Sequence, residues 1–517
     1  MSPRVAAAFR LLPEYLGWHV VLSFSALALG VAISLPLAVA ASRSPRLRWP
    51  VLAAASLIQT IPSLALLALF FPLLLAVSTL ARALTGHGFS ALGFLPSLLA
   101  LTLYSMLPIL RNAAAGILGV DPAVREAADG VGMTSGQKLF QVELPLAAPV
   151  IMAGVRTAAV WTIGAATLST PVGQTSLGNY IFAGLQTENW VYVLFGCAAS
   201  AGLALVADQL LGLVEAGARR RSLRLTAIGL VALVAGVAAA VAPLALAGRT
   251  ASYVVGAKNF SEQYILAALM ADQLEAKGAR VRRKEDLGSA VAYRALAAGE
   301  IDAYVDYSGT LWTNVLNRKD NPGRAAVLAG LTAELKRRDG VVVLGSLGFE
   351  NAYAFVMRPD RAAALHVATI ADLAREAPKL ALGSDLEFLS RPEWKAVQSA
   401  YGLSFRSQRS YQPTFMYRAL MGGDADVISA FSSDGRIAAD RLIVLSDPKA
   451  AIPPYDAVVL ISPKRAGDAR LLGALKPLIG RIPVQAMRAA NYSVDRDARK
   501  LSPDEAAKAL ERQLGLR

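Results

Sequence analysis

Aromatic residues with polar neighbours are the groups in this 517-residue chain best suited to hold a ligand. In the second half, Tyr304 and Tyr307 follow a Glu-Ile-Asp turn, Tyr353 sits in an apolar stretch, and Tyr411 precedes a helical pattern. Phe431 stands directly before Ser432-Ser433-Asp434. The face of such a ring attracts a weakly hydrated organic cation, by about 0.5–2 kcal/mol per contact. Each ring can equally be a packed residue whose hydroxyl is satisfied inside a lobe, and Tyr417 and Tyr455 read better as core than as ligand contacts. Asn259, Gln263, Thr310 and Asn351 carry groups able to hydrogen-bond a carboxylate or hydroxyl, or to cap helices. Asp434 can meet a cation, or pair with nearby Arg436.

Other chemistries are poorly provided for. Cys197 is the only cysteine and lies in an apolar run, and His19, His87 and His366 are widely scattered, so neither a disulfide nor a metal site is expected. Ser432-Ser433-Asp434 has no histidine near it in sequence, and no nucleophile, base and orienting group emerge from spacing, so no enzyme is expected. No Gly-x-x-x-x-Gly-Lys-Ser/Thr occurs, so this chain lacks the phosphate cradle for hydrolysing ATP.

The elements that would position these residues divide at a composition boundary. Met1 to Gly248 holds 14 Lys+Arg and 8 Asp+Glu, against 38 and 30 from Arg249 to Arg517. The positive excess is spread over both halves, +6 and +8, which offers no single basic stripe for nucleic acid. A bilayer core about 30 Å thick needs about 20 apolar residues in a helix. Six stretches qualify: 18–41, 51–80 (interrupted by Pro62 and Pro72), 94–110, about 149–170, 191–214 and 225–247. The first ten residues show no signal-peptide pattern, since Arg4 and Arg10 precede an over-long span. Basic residues favour the cytoplasmic side. Arg43, Arg46 and Arg48 after the first span, and Arg219, Arg220, Arg221 and Arg224 before the sixth, therefore predict that 121–146 is also inside. The N-terminus and everything after the sixth span are then outside. Residues 219–247 also read like an internal signal peptide, but roughly 23 apolar residues suit an uncleaved span.

Between the third and fourth spans, residues 120–146 are too polar for lipid. Asp121-Pro122 is a favourable helix start and Leu144-Pro145 a predicted stop or kink, with Gly130, Gly132 and Gly136 splitting the stretch into two short helices. The residues alone leave open a passive linker or a docking surface. Glu126-Ala127-Ala128, Gly132 and Glu143-Leu144-Pro145 resemble the EAA loop of bacterial ABC importer permeases. The stretches 58–67, 107–112 and 150–157 resemble permeases of the glycine betaine/carnitine/choline group. The resemblance implies that Glu126, Ala127, Ala128, Gly132, Leu144 and Pro145 form a loop coupling to a separate cytoplasmic ATPase. It also implies a pore of two permease copies, most simply a homodimer in membrane lipid.

From Ser252 onward, short β-rich runs alternate with helical ones, arguing for an α/β domain with parallel-rich sheets. Strands are expected at 253–256, 341–344, 352–357, 380–382, 427–428, 443–445 and 457–461. Chain crossings near Phe355 and Val459 would make two lobes around a cleft. The helix after Lys258-Asn259-Phe260 offers N-terminal amides to a carboxylate. The motifs 256–264, 299–310, 349–353, 432–437 and 453–455 resemble substrate-binding proteins of the same osmoprotectant importers.

The expected fold is thus an all-α polytopic membrane domain of about six spans, of the ABC importer permease type, followed by an α/β two-lobed periplasmic-binding-protein-like domain. The expected divisions are 1–218, a sixth span with linker at 219–251, and 252–517. The resemblance implies a multi-pass protein of the bacterial cytoplasmic membrane with its C-terminal domain extracytoplasmic, importing a quaternary ammonium solute. It implies no cofactor bound by this chain, ATP being used by the partner. The aromatic cage would be drawn from Tyr304, Tyr307, Tyr353, Tyr411 and Phe431. Family members often have tyrosine where Phe431 stands, which puts a plain choline specificity in doubt. Ergothioneine or an amino acid is an alternative cargo, and a ligand-gated channel or sensor is an alternative machine.

Overall fold

The computed structural model describes residues 3–246 and 252–516, apart from 87–88, 188, 319, 386–387, 412 and 497–498. His87, the end of the expected sixth span at Ala247 and the linker to residue 251 lie outside the described residues. The chain forms two compact units.

The first unit is helical. Six helices among the described residues are long and apolar enough to cross a membrane. They are α1 (Pro3–Arg43), α3 (Ser63–Thr85), α4 (Phe94–Leu118), α7 (Leu144–Ala166, within the run Ser135–Val172), α9 (Trp190–Arg219) and α10 (Leu223–Leu246). Shorter helices are α2 (Pro45–Thr60), α5 (Pro122–Gly130), α6 (Ser135–Lys138) and α8 (Gly178–Gln186). The expected second span, 51–80, is two helices. Pro62 drives the residue before it out of the helical region, and Ile61 is extended at φ −73°, ψ 126°. The other proline in that stretch, Pro72, is accommodated inside α3.

Helices α1, α4, α7 and α9 pack in succession, and α10 packs on both α9 and α1. At Gly154 of α7 a Cβ would lie 2.8 Å from Pro108 O and 2.6 Å from Asn112 Cβ, so only glycine lets α7 and α4 come this close. His19 is buried with both ring nitrogens engaged, one with Ile163 O at 3.0 Å and the other accepting from Leu177 N at 3.3 Å. The outer faces of α9 and α10 expose Leu205, Val206, Val231 and Val234, the pattern of helices surrounded by hydrocarbon.

The second unit contains two five-stranded sheets. The strands are β1 (Tyr253–Lys258), β2 (Val281–Leu287), β3 (Ala303–Tyr307), β4 (Val342–Glu350), β5 (Tyr353–Met357), β6 (Ala381–Ser384), β7 (Ser407–Ser410), β8 (Val427–Phe431), β9 (Ile443–Val444) and β10 (Asp456–Ile461). The first sheet runs β2-β1-β3-β10-β4 and the second β7-β6-β8-β5-β9. Strands β1, β2 and β3 are mutually parallel, as are β6, β7 and β8. The strand that arrives from the other lobe runs against its neighbours in each case, β10 against β3 and β4, and β5 against β8 and β9. The sheets are therefore mixed.

The chain crosses between lobes at Asn351-Ala352, just before β5, and again over residues 445–455, just before β10. The two crossings are joined where Asn351 N donates to Tyr455 O at 2.9 Å. Helix α11 (Ser261–Ala276) follows β1 and is buried along most of its length.

Candidate functional site

A cavity of about 240 Å³ lies between the two lobes, lined from both and from the crossings. That is below the roughly 300–1,000 Å³ of sites for drug-sized molecules, so the space suits a small solute.

The first lobe contributes the turn from β1 into α11 and the end of β3. Lys258 and Asp306 form a buried ion pair, and the Lys258 ammonium lies 5.2 Å from the Tyr307 ring centroid. Tyr307 is held at its hydroxyl, which donates to Glu262 Oε1 at 2.5 Å and accepts from Gln263 Nε2 at 3.1 Å. Its ring stacks with Phe260 at 6.1 Å. Glu262 is the group that sequence reasoning missed at the start of α11. It is buried, and it also accepts from Asn351 Nδ2 at 3.1 Å and Asn491 Nδ2 at 2.8 Å. Burial pushes its carboxyl up, while bonds from Ser433, Tyr307, Asn491 and Asn351 pull the other way. The first turn of α11 thus holds the protein's own carboxylate, where a ligand carboxylate was expected.

The second lobe supplies Phe431 at the end of β8, opposite Tyr353 in the β5 register. Their centroids are 4.9 Å apart, and Tyr455 meets Tyr353 edge-on at 6.1 Å. The Tyr455 hydroxyl donates to Glu393, and its ring lies over Gly309, where a Cβ would come within 2.6 Å of it. The Arg391 guanidinium lies 5.5 Å over Tyr353. Asp434 caps the helix Gly435–Ala439, accepting from Arg436 N at 2.9 Å; burial pushes its carboxyl up and the Arg436 charge opposes this. Across the interface Asp495 accepts from Ser261 Oγ at 2.6 Å, and burial, then the Asp434 charge, push its carboxyl up to about 7.

Of the residues singled out from sequence, Asn259, Tyr307, Thr310, Asn351, Tyr353, Phe431 and Asp434 line this one cavity. Three do not. Tyr304 lies an odd number of residues from Tyr307 in β3, so strand alternation turns it to the opposite face; it is fully buried, with its hydroxyl donating to Asp306 at 2.5 Å. Gln263 is buried behind Tyr307, where its amide fixes the ring's hydroxyl. Tyr411 packs over Gly383 of the second sheet. Tyr417 and Tyr455 are both core, as read, and Tyr455 also borders the cavity. Phe260, Glu262, Arg391 and Asn491 were missed. A usable signal existed for Phe260 and Glu262, which flank the strand-to-helix turn.

In the first unit, Glu126, Ala127 and Gly132 are exposed and Ala128 is buried. Asp121 caps α5 by accepting from Ala123 N at 2.9 Å, and Gly132 takes φ +77° in the turn that follows. Leu144-Pro145 does not end the helix. The π-helical turn Leu139–Glu143 widens the backbone ahead of the proline, and α7 continues through it.

Residues 251–511 match the substrate binding domain of ABC-type glycine betaine transport system. This is just over half of the chain. The chain belongs to that family. Residues 30–220 match the binding-protein-dependent transport system inner membrane component, so this family member is a permease fused to its glycine betaine-type binding domain. Such a permease is a multi-pass protein of the inner membrane and works with an ATPase and a small ligand. The chain is 28% identical over 480 residues to the ergothioneine transport permease/ergothioneine binding protein EgtU of Helicobacter pylori, covering 89% of this chain and 82% of that one. It is 41% identical over 197 residues to the choline transport system permease protein OpuBB of Bacillus subtilis, covering 38% of this chain and 83% of that one. The crystal structure of a glycine betaine/carnitine/choline ABC transporter is 28% identical, covers 51% of this chain and 98% of that one, and has a TM-score of 0.45.

Proposed function

We propose that this chain captures a quaternary ammonium solute outside the cell and passes it through its own membrane unit, driven by a separate cytoplasmic ATPase. The observation that carries this reading is the wall of the cavity. Five aromatic side chains, Phe260, Tyr307, Tyr353, Phe431 and Tyr455, share it with the carboxylates Glu262 and Asp434 and with Arg391. A quaternary ammonium has no N–H to donate, so aromatic faces and nearby carboxylates are its means of recognition. Arg391 supplies a fork that suits the carboxylate at the other end of a betaine. Two of the tyrosine rings already face a protein cation, Lys258 or Arg391, and this favours a cargo that enters between the Phe260/Tyr307 pair and the Tyr353/Phe431/Tyr455 group.

Glycine betaine, choline and carnitine are the first-choice cargoes. Ergothioneine, which carries the same trimethylammonium and carboxylate on an aromatic thione, is supported by the similarity to a fused ergothioneine permease and binding protein along most of the chain. Phe431, without a hydroxyl, counts against a specificity for choline alone. In this reading the loop around Glu126 docks the ATPase, two copies of the chain form the pore in lipid, no cofactor is bound by this chain, and the binding domain faces outward. Ligand closes the lobes, the closed lobes engage the membrane unit, and ATP binding in the partner switches the pore.

Calorimetry on the full-length chain with glycine betaine, choline, carnitine and ergothioneine tests the cargo. Saturable binding of at least one of the four is expected, and binding of none would overturn the reading. A ligand-gated channel would conduct its solute without ATP, so loss of uptake on ATP depletion separates the machines.

A further inference from the structure

Glu143 lies far in sequence from the cavity residues and has no part in ligand capture, yet arginines from two other helices of the membrane unit converge on its side chain. It closes the π-helical turn before α7, and its carboxylate is fully buried. Arg43, the last residue of α1, meets it with both prongs of its guanidinium, Nη1 at 2.9 Å from Oε1 and Nη2 on Oε2. Arg125 of α5 brings Nε to 3.6 Å from Oε1, while its Nη2 donates to Ile117 O at the end of α4. The end of α1, the body of α5 and the start of α7 are thus joined at one carboxylate, and Arg125 also ties α5 to the end of α4.

The two arms of this cluster differ. The α1 arm is a two-pronged, charge-assisted fork, rigid in geometry. The α5 arm is a single ion-pair contact at 3.6 Å, beyond hydrogen-bond length. Helix α5 has nine residues, too few to hold a helix in place by itself. Its tie to α6, Lys138 to Asp129 at 2.6 Å, involves a carboxylate that is 58% exposed, and such surface pairs are weak. Among these ionic ties, the one to buried Glu143 is the one screened least by solvent.

We propose that Glu143 is a positioning residue for coupling. Through Arg125 it sets the place of α5, and through Arg43 and the π-helical turn it hands a displacement of α5 to α1 and α7. The proposal rests on the reading of α5 as the ATPase-docking helix.

The test uses the full-length chain, with Glu143→Gln, Arg43→Ala and the charge-keeping Arg43→Lys. Hydrogen exchange is followed in peptides from 121–134, and ATP-driven uptake of labelled glycine betaine and ergothioneine is measured in membrane vesicles with the ATPase present. For Glu143→Gln and Arg43→Ala, exchange in 121–134 should rise about tenfold while α4 and α9 exchange as before. Maximal uptake should fall about tenfold with the half-saturating cargo concentration unchanged, since no cargo contact is touched. Arg43→Lys should recover part of both. Exchange in 121–134 that stays at the natural rate overturns the proposal, as does faster exchange with undiminished uptake. If the natural chain shows no ATP-driven uptake, the ATPase reading fails, and hydrogen exchange alone then decides whether Glu143 holds α5.

Discussion

Tyr307 does two jobs at once, offering a ring to the cavity and a proton to Glu262. Tyr307→Ala should weaken cargo binding by about 1–2 kcal/mol. Tyr307→Phe keeps the face and drops only the hydroxyl, with its bonds to Glu262 and Gln263, so calorimetry on both variants isolates the ring's share. Equal affinity in the natural and alanine chains would remove the ring from recognition. Tyr304 should behave oppositely: Tyr304→Phe strips a buried carboxylate of a donor, lowering stability by roughly 1.5–3 kcal/mol in thermal unfolding while affinity stays put. Asp495 predicts a pH dependence. Its carboxyl is pushed up to about 7, mainly by burial, so from about pH 4 to 7 the folded chain keeps a proton that the unfolded chain releases. That contribution to stability is complete below the unfolded value and is lost as pH rises through the folded one. Asp495→Asn cannot ionise, so its melting temperature relative to the natural chain should climb between pH 5 and 8, by on the order of a few degrees given the residue's partial exposure. A constant difference across that range would show that Asp495 ionises normally.

At the scale of elements, the apolar runs of the first half and the alternating runs of the second made both architectures legible, because burial dictates hydropathy more strongly than any other pattern. What escaped has physical causes. Strand β2 reads Val-Arg-Arg-Lys-Glu-Asp-Leu and sits at a sheet edge, where charge guards against mispairing and hides the strand's periodicity. Strand β7, Ser-Gln-Arg-Ser, is an edge of the second sheet with the same disguise. Pro62 separates two helices and Pro145 does not, and nothing local distinguishes them; the π-helical turn ahead of Pro145 is a backbone solution with no composition of its own. In the site, Asn259 on the β1-to-α11 turn and the first crossing were legible as motifs, whereas Arg391, just before the helix Pro392–Tyr401, and Asn491, in the helix Val484–Asp495, are distant in sequence. The Gly154 contact predicts that Gly154→Leu, forced against Pro108 O and Asn112, will destabilise the membrane unit by about 1–3 kcal/mol or more, read as a lower melting temperature in detergent. An unchanged melting temperature would mean that α4 and α7 can part without cost.

For the whole molecule, the basic residues flanking the spans support the proposal that the binding domain faces outward. A Cys197→Ser background removes the one free cysteine, and a cysteine introduced at Ser252 should then react with a membrane-impermeant maleimide on intact cells, whereas one at Glu126 should react only after lysis. The reverse pattern would invert the proposed direction of transport. Fusion itself has a kinetic corollary. The described part of α10 reaches Leu246 and β1 begins at Tyr253, seven positions later in the sequence. Covalent linkage over so few residues keeps a linked partner at an effective concentration on the order of millimolar. Docking is then first order and its frequency does not vary with protein abundance. Flux per molecule should follow solute supply alone, with no surplus of unoccupied receptors to compete for the gate.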